Sequence, residues 1–203
     1  MIIGRGISGI VYYPSLCEYE GDYVSKLTTS AIAEKELQFA SIIQRYIPNG
    51  AIYVEHLCKS PIIEEVKGLT YDTLALSKYG GVSIETYIAN DLEYIYYYFE
   101  AHKHKITPEK LRNAEELLHA LEELRDQIIV MNESGFFHND ISQENIVYNE
   151  KTKKAYLIDF ERAGYEPSSK DDTIHRIIDE LRSYIRGIQQ KMKKGGRKTK
   201  RKL

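Results

Sequence analysis

Cysteine is scarce in this sequence: there are two in 203 residues, Cys17 and Cys58, 41 positions apart, neither with a second Cys nearby. A disulfide framework or a structural zinc site is therefore not expected, and a reducing compartment fits. Long apolar runs are missing as well. No stretch approaches the roughly 18 to 20 residues that span a bilayer, and the opening Met1-Ile2-Ile3-Gly4 is too short for a signal peptide, so the expectation is an intracellular chain with no membrane partner. No unit of about 20 to 50 residues recurs, which excludes solenoids and propellers. Acids are absent from one place, Lys191 to Lys202, where eight Lys and Arg stand together. With 28 basic and 30 acidic residues in all, residues 1 to 190 carry about −10 and the end about +8. An acidic body argues against a nucleic-acid-binding fold, and leaves at most a weak contact with phosphate through a disordered basic tail at 191–203.

What is present suffices for one sizeable domain or two small lobes, since 42% of the residues are hydrophobic. The first 80 residues read mostly as strands, among them Ile10 to Tyr13, Tyr23 to Leu27, Ala51 to Leu57 and Asp72 to Ser77. One helix interrupts them from Ser30 to Tyr46, with Ile32, Phe39, Ile42, Ile43 and Tyr46 at helical spacing and Pro48-Asn49-Gly50 as its stop. Beyond Gly80-Gly81 the pattern turns helical: Ser83 to Phe99, Pro108 to Gly135 and Asp172 to Ile188 each carry an apolar stripe. Between the last two, Asn145 to Tyr148 and Ala155 to Ile158 flank a polar turn and read as a hairpin. The histidines at 56, 102, 104, 119 and 175 show no metal-ligand constellation.

Gly4-Arg5-Gly6-Ile7-Ser8-Gly9-Ile10-Val11 fits GxGxxGxV, in which missing side chains let backbone amides approach phosphate oxygens. A dinucleotide-binding reading would need a helix directly after the third glycine; a strand-like run ending in Pro14 follows instead. Lys26 comes fifteen residues after Val11. Further on stand His138-Asn139-Asp140-Ile141-Ser142-Gln143-Glu144-Asn145 and, nineteen residues after Asp140, Asp159-Phe160-Glu161.

In order and spacing these elements resemble the eukaryotic protein-kinase superfamily over about residues 3 to 185: glycine-rich loop, strand lysine, HRDxxxxN loop and DFG element. The resemblance implies an α+β, bilobal kinase-like fold, with a small β-rich N-lobe at 1–77, a hinge at 78–81 and a truncated helical C-lobe at 82–190. It implies ATP and Mg²⁺ as cofactors. Gly4, Gly6, Gly9 and Lys26 would then hold the phosphates, with Val11 also in the ATP site, and a helix glutamate, Glu36 or failing that Glu34, would hold Lys26. Ser77 would be the gatekeeper, with the Lys78 carbonyl and Gly80 amide on the adenine edge. Asp140 would orient the attacking hydroxyl, and Asn145 and Asp159 offer Mg²⁺ hard oxygen ligands. His138 would brace the loop, helped by Asp172 or Asp171 at the head of the last helix.

Departures from the pattern refine the expectation. Asn139 replaces the loop arginine, so activity should not require phosphorylation of a following loop. Glu161 stands where glycine is usual, no Ala-Pro-Glu element follows, and Ser142 replaces the lysine common in Ser/Thr kinases. The small C-lobe resembles atypical kinases of the RIO and KEOPS type and short kinases of large DNA viruses. The segments around Asp140 and Asp159 are also similar to choline-kinase and aminoglycoside-phosphotransferase signatures. The leading expectation is a minimal Ser/Thr protein kinase, with a small-molecule kinase and a nucleotide-binding pseudokinase as alternatives.

Overall fold

The structure, a computed structural model, describes residues 1–6, 9–90, 92, 107–168 and 172–199. Its first half is an antiparallel five-stranded sheet in the order β1-β2-β3-β5-β4, built from β1 (Ile2–Gly6), β2 (Gly9–Tyr12), β3 (Tyr23–Thr28), β4 (His56–Val66) and β5 (Leu69–Lys78). The glycine-rich segment is thus a hairpin of two strands, and no helix follows its third glycine.

Helix α1 (Ser30–Tyr46) starts where Thr29 caps it, its hydroxyl accepting from the Ile32 N–H, and stops at Ile47, directly before Pro48. Its first half packs Ala33 against Val54 and Ala75 of the sheet side. Its last turn and Ile47 belong to the second core, so α1 ties the two halves together.

The second half holds β6 (Val82–Ser83), α2 (Ile84–Asn90), α3 (Pro108–Glu133), β7 (Ile146–Asn149), β8 (Lys154–Leu157), a short 3-10 turn at Phe160–Arg162 and α4 (Thr173–Thr199). Strands β6, β7 and β8 form a small sheet. Thr107 caps α3, with Pro108 in its first turn, and Gly135 at φ 80° ends it. Leu117, Leu121, Leu124, Ile128 and Met131 of α3 meet Ile174, Ile177, Ile178, Leu181 and Ile185 of α4 in one buried cluster. Fully burying each such side chain is worth about 1.5–3 kcal/mol, which makes this pair the main anchor of the helical half.

The fold differs from the sequence reading in several places. The strand expected at 51–57 begins only at His56 and runs on to Val66, because β4 and β5 make one long hairpin that reverses at Lys67-Gly68, where φ is 53° and 79°. Pro61 is tolerated there because β4 is an edge strand whose pairing shifts register between Lys59 and Glu64. Of the helix expected over 83–99, α2 accounts for 84–90; residues 91 and 93–99 lie outside the described ones. The segment expected to be a disordered tail is helical through its described part, since α4 continues to Thr199. Cys17 and Cys58 are joined as a disulfide against the sheet core, against expectation. Their separation in sequence hides a proximity created by the strand order.

Candidate active site

Strand alternation puts Val24 and Lys26 on one face of β3, opposite Ser77 and Ala75 of β5, and all four line a cleft of about 550 Å³ between the two halves. Glu36 lies one helical turn after Ala33 on the buried stripe of α1 and is 5% exposed; Glu34 faces solvent, which settles the choice between them. The Lys26 ammonium lies 2.7 Å from Glu36 Oε1 and 2.8 Å from Asp159 Oδ1. Burial pulls the Lys26 pKa down, but the two carboxylates outweigh it and push it up to about 12. Burial raises the Glu36 carboxyl, while the ammonium beside it works the other way.

Across the cleft, the loop before β7 is held by neutral groups. His138 is fully buried: its Nε2–H donates to the Ile158 carbonyl at 2.9 Å, and its Nδ1 accepts from the Asp140 N–H at 3.3 Å. A carbonyl can only accept and an amide only donate, so these partners fix the tautomer. Burial keeps the imidazole pKa below its ordinary value. His138 thereby ties the segment carrying Asp159 to the one carrying Asp140. Asn145 Nδ2 donates to the Asp140 carbonyl at 2.9 Å and to its carboxylate at 3.3 Å, and the Asn145 N–H is capped by Ser142 Oγ at 3.2 Å. Arg162 comes to 3.8 Å from Asp140 Oδ1.

Asp159 has φ 63°, ψ 71°, in the left-handed region. The backbone reversal therefore falls on the aspartate, and Glu161, inside the 3-10 turn, needs no positive φ. This is how glutamate replaces glycine there without distorting the chain. The Glu161 carbonyl also receives Lys35 Nζ from α1.

The cleft is lined by Gly4, Gly6, Gly9 and Val11 on one side, by Ser77, Lys78 and Gly80 at the junction of the halves, and by Asn145 and Asp159 below. A Cβ on Gly80 would meet Ile52 Cδ1 at 2.1 Å and Val147 Cγ2 at 2.7 Å, so any larger residue there would have to displace both side chains. Gly80 is buried, and its N–H has no hydrogen-bond partner among the described residues, which suits an acceptor edge of a bound base. The donor set offered by Asn145 and Asp159, an amide oxygen and a carboxylate, fits Mg²⁺ shared with phosphate oxygens. Among the described residues no group of three or more His, Cys, Asp and Glu forms a metal site by itself.

The structure thus brings Lys26, Glu36, Asn145 and Asp159 together in one cleft with the glycines and hinge residues, while Asp140 and His138 stand beside it, joined to the lining residues Asn145 and Ile158 by hydrogen bonds. It does not bring in Asp172, which is exposed ahead of α4 and makes no hydrogen bond or ion pair among the described residues; Asp171 lies outside them. Bracing comes from His138 and Asn139 instead. Arg162 escaped sequence reasoning, because a lone basic residue after an acidic motif carries no signal until the 3-10 turn aims it at Asp140.

A β-rich half joined to a helical half across such a cleft is the architecture of a kinase-like phosphotransferase. The chain matches the choline/ethanolamine kinase family over residues 39–181, well over half its length, and belongs to that family. No curated protein matches it.

Proposed function

We propose that this protein transfers the γ-phosphoryl group of ATP, with Mg²⁺, to the hydroxyl of a small alcohol of the choline or ethanolamine type. The observation that carries this is the pairing of Lys26 with both Glu36 and Asp159 in the cleft, beside an Asp140 fixed by Asn145 and His138. Lys26 offers a fixed positive charge to the nonreacting phosphate oxygens, and Glu36 keeps its stem extended into the cleft. Asn145 and Asp159 would hold Mg²⁺, which neutralises charge on the phosphates when bound. Asp140 orients the acceptor hydroxyl and takes its proton as the new O–P bond forms and the bond to the β-phosphate oxygen breaks. Catalysis on this account is mainly positioning and charge neutralisation.

A second reading, a hydroxyl on Ser or Thr of a protein, is favoured by a specific feature. The glycine hairpin and the Val11-to-Lys26 spacing resemble protein kinases and lie outside the matched residues 39–181. An intracellular location is part of this proposal. Among the described residues no helix is long and apolar enough to cross a membrane.

The test is transfer from γ-labelled ATP and Mg²⁺ to choline, to ethanolamine and to a mixed protein substrate, with Lys26→Met and Asp140→Asn as controls. Label on a small alcohol that disappears in both variants supports the first reading, and label on protein supports the second. ATP binding with no transfer to any of these would overturn both and leave a nucleotide-binding module.

A further inference from the structure

We infer that Asn139 is a positioning residue: its side-chain amide latches the segment Arg162–Ser168 onto the catalytic loop, so that the acceptor side is formed without any phosphate on the chain. This rests on the phosphoryl-transfer reading of Asp140. Asn139 stands directly before Asp140 with φ 65°, a conformation that Asn and Asp adopt more readily than other residues with side chains. Its Nδ2 donates to the Glu166 carbonyl at 2.9 Å and, at the longer 3.4 Å, to the Arg162 carbonyl. Its Oδ1 accepts from the Ser168 N–H at 2.9 Å, and its own carbonyl accepts from Ser168 Oγ at 3.3 Å.

Phe137 and Gly164 add a reciprocal backbone pair at 2.8 and 3.0 Å, so the segment is stitched to the loop on both sides of its middle. Only a group that donates and accepts at once satisfies these partners. A carboxylate there would set negative oxygen against two carbonyls, and a guanidinium would lack the acceptor that the Ser168 N–H uses. The latch reaches the reacting group through Arg162: the carbonyl that Asn139 holds belongs to the residue whose guanidinium stands 3.8 Å from Asp140. The segment is thus locked by neutral hydrogen bonds.

Two variants separate the amide from the backbone. Asn139→Gly keeps the left-handed φ and removes the side chain; Asn139→Asp keeps shape and φ and replaces the donor. Each is read by hydrogen exchange of residues 162–168, by the thermal midpoint with and without MgATP, and by transfer of label to whichever acceptor the wild type uses. Both variants should lose exchange protection in 162–168 and lower kcat by about a hundredfold, the cost of a misplaced reacting group. KM for ATP and the MgATP-induced midpoint shift should stay at wild-type values. A purely structural role would lower the midpoint without dividing kcat from KM, and that outcome overturns the positioning role, as does wild-type kcat in either variant. Retained protection in both overturns the latch itself. If the wild type transfers to no acceptor, the functional reading fails while the exchange data still decide the latch.

Discussion

The two walls of the cleft hold their key groups by different physics. On the nucleotide wall, full charges do the holding: one ammonium at 2.7 and 2.8 Å from two carboxylates, with Lys26 and Glu36 largely out of water. On the acceptor wall, an imidazole and side-chain amides do it, and the charged pair present, Arg162 with Asp140, is looser at 3.8 Å and 61% exposed on the arginine side. Buried charge pairs are expensive to break, because removing one partner strands the other in low dielectric. Neutral hydrogen bonds cost less to lose but fix direction. The nucleotide wall is therefore built for strength and the acceptor wall for orientation, which suits a reaction whose phosphate donor is highly charged and whose acceptor brings one hydroxyl.

The largest effect that would test this contrast is on rate. Asp140→Asn should lower transfer by about 10²–10⁴-fold, the usual worth of a positioned acid or base, while leaving the MgATP-induced rise in thermal midpoint intact. A loss of ATP binding of the same size would show that the walls are not separable. Next comes Lys26→Met, which should abolish transfer and also destabilise the fold by about 3–5 kcal/mol, since Glu36 is left buried without its cation. Its pH signature has a definite sign. The folded Lys26 pKa, about 12, lies above its ordinary 10.5, so its contribution to stability is complete below pH 10.5 and is lost as pH climbs through 12. Urea midpoints from pH 9 to 11.5 should fall more steeply at the top of that range in wild type than in the variant.

A smaller effect belongs to the acceptor wall. His138 is neutral and its pKa is lowered by burial, so its contribution is present above the ordinary histidine value of 6.5 and is lost as pH falls below it. Thermal midpoints measured between pH 7.5 and 5 should decline in wild type and flatten in His138→Gln. An unchanged slope would mean that other groups set the acid limit.

The same contrast explains what was legible in the sequence. Lys26, Asp140, Asn145 and Asp159 could be read because the chemistry proposed for each demands one residue type at one spacing. Glu36 could be chosen over Glu34 only in part, because both sit in the first half of α1 and the burial of one turns on how the helix packs. Asn139 was visible as a departure, but its work depends on Glu166 and Ser168, 27 and 29 residues away, and on backbone groups that any residue supplies. Asp172 was misjudged for the converse reason: its place before a helix suggested a cap or brace, and tertiary structure left it in solvent. The Cys17–Cys58 pairing was invisible because strand order, not spacing, brings the two together.

The smallest effects come from the glycines of the hairpin, and they show whether the nucleotide wall is shaped by packing or by its ligand. A Cβ at Gly9 would lie 2.6 Å from the Leu27 carbonyl oxygen and 3.0 Å from Lys26 Cγ, so Gly9→Ala should cost about 1–3 kcal/mol of stability through overpacking and disturb Lys26 as well. At Gly6 nothing among the described residues lies within 4 Å of a built Cβ, and Gly6→Ala should change stability by no more than about 0.5 kcal/mol. If Gly6 nevertheless belongs to a phosphate-approaching loop, Gly6→Ala should weaken MgATP binding at unchanged midpoint, because the added methyl blocks the close approach of phosphate oxygen to backbone. Calorimetric titration of MgATP into both variants, beside their melting curves, separates the cases. Weaker binding with no loss of stability at Gly6 would mean the ligand requires that glycine, and unchanged binding would mean the glycine pattern there carries no phosphate.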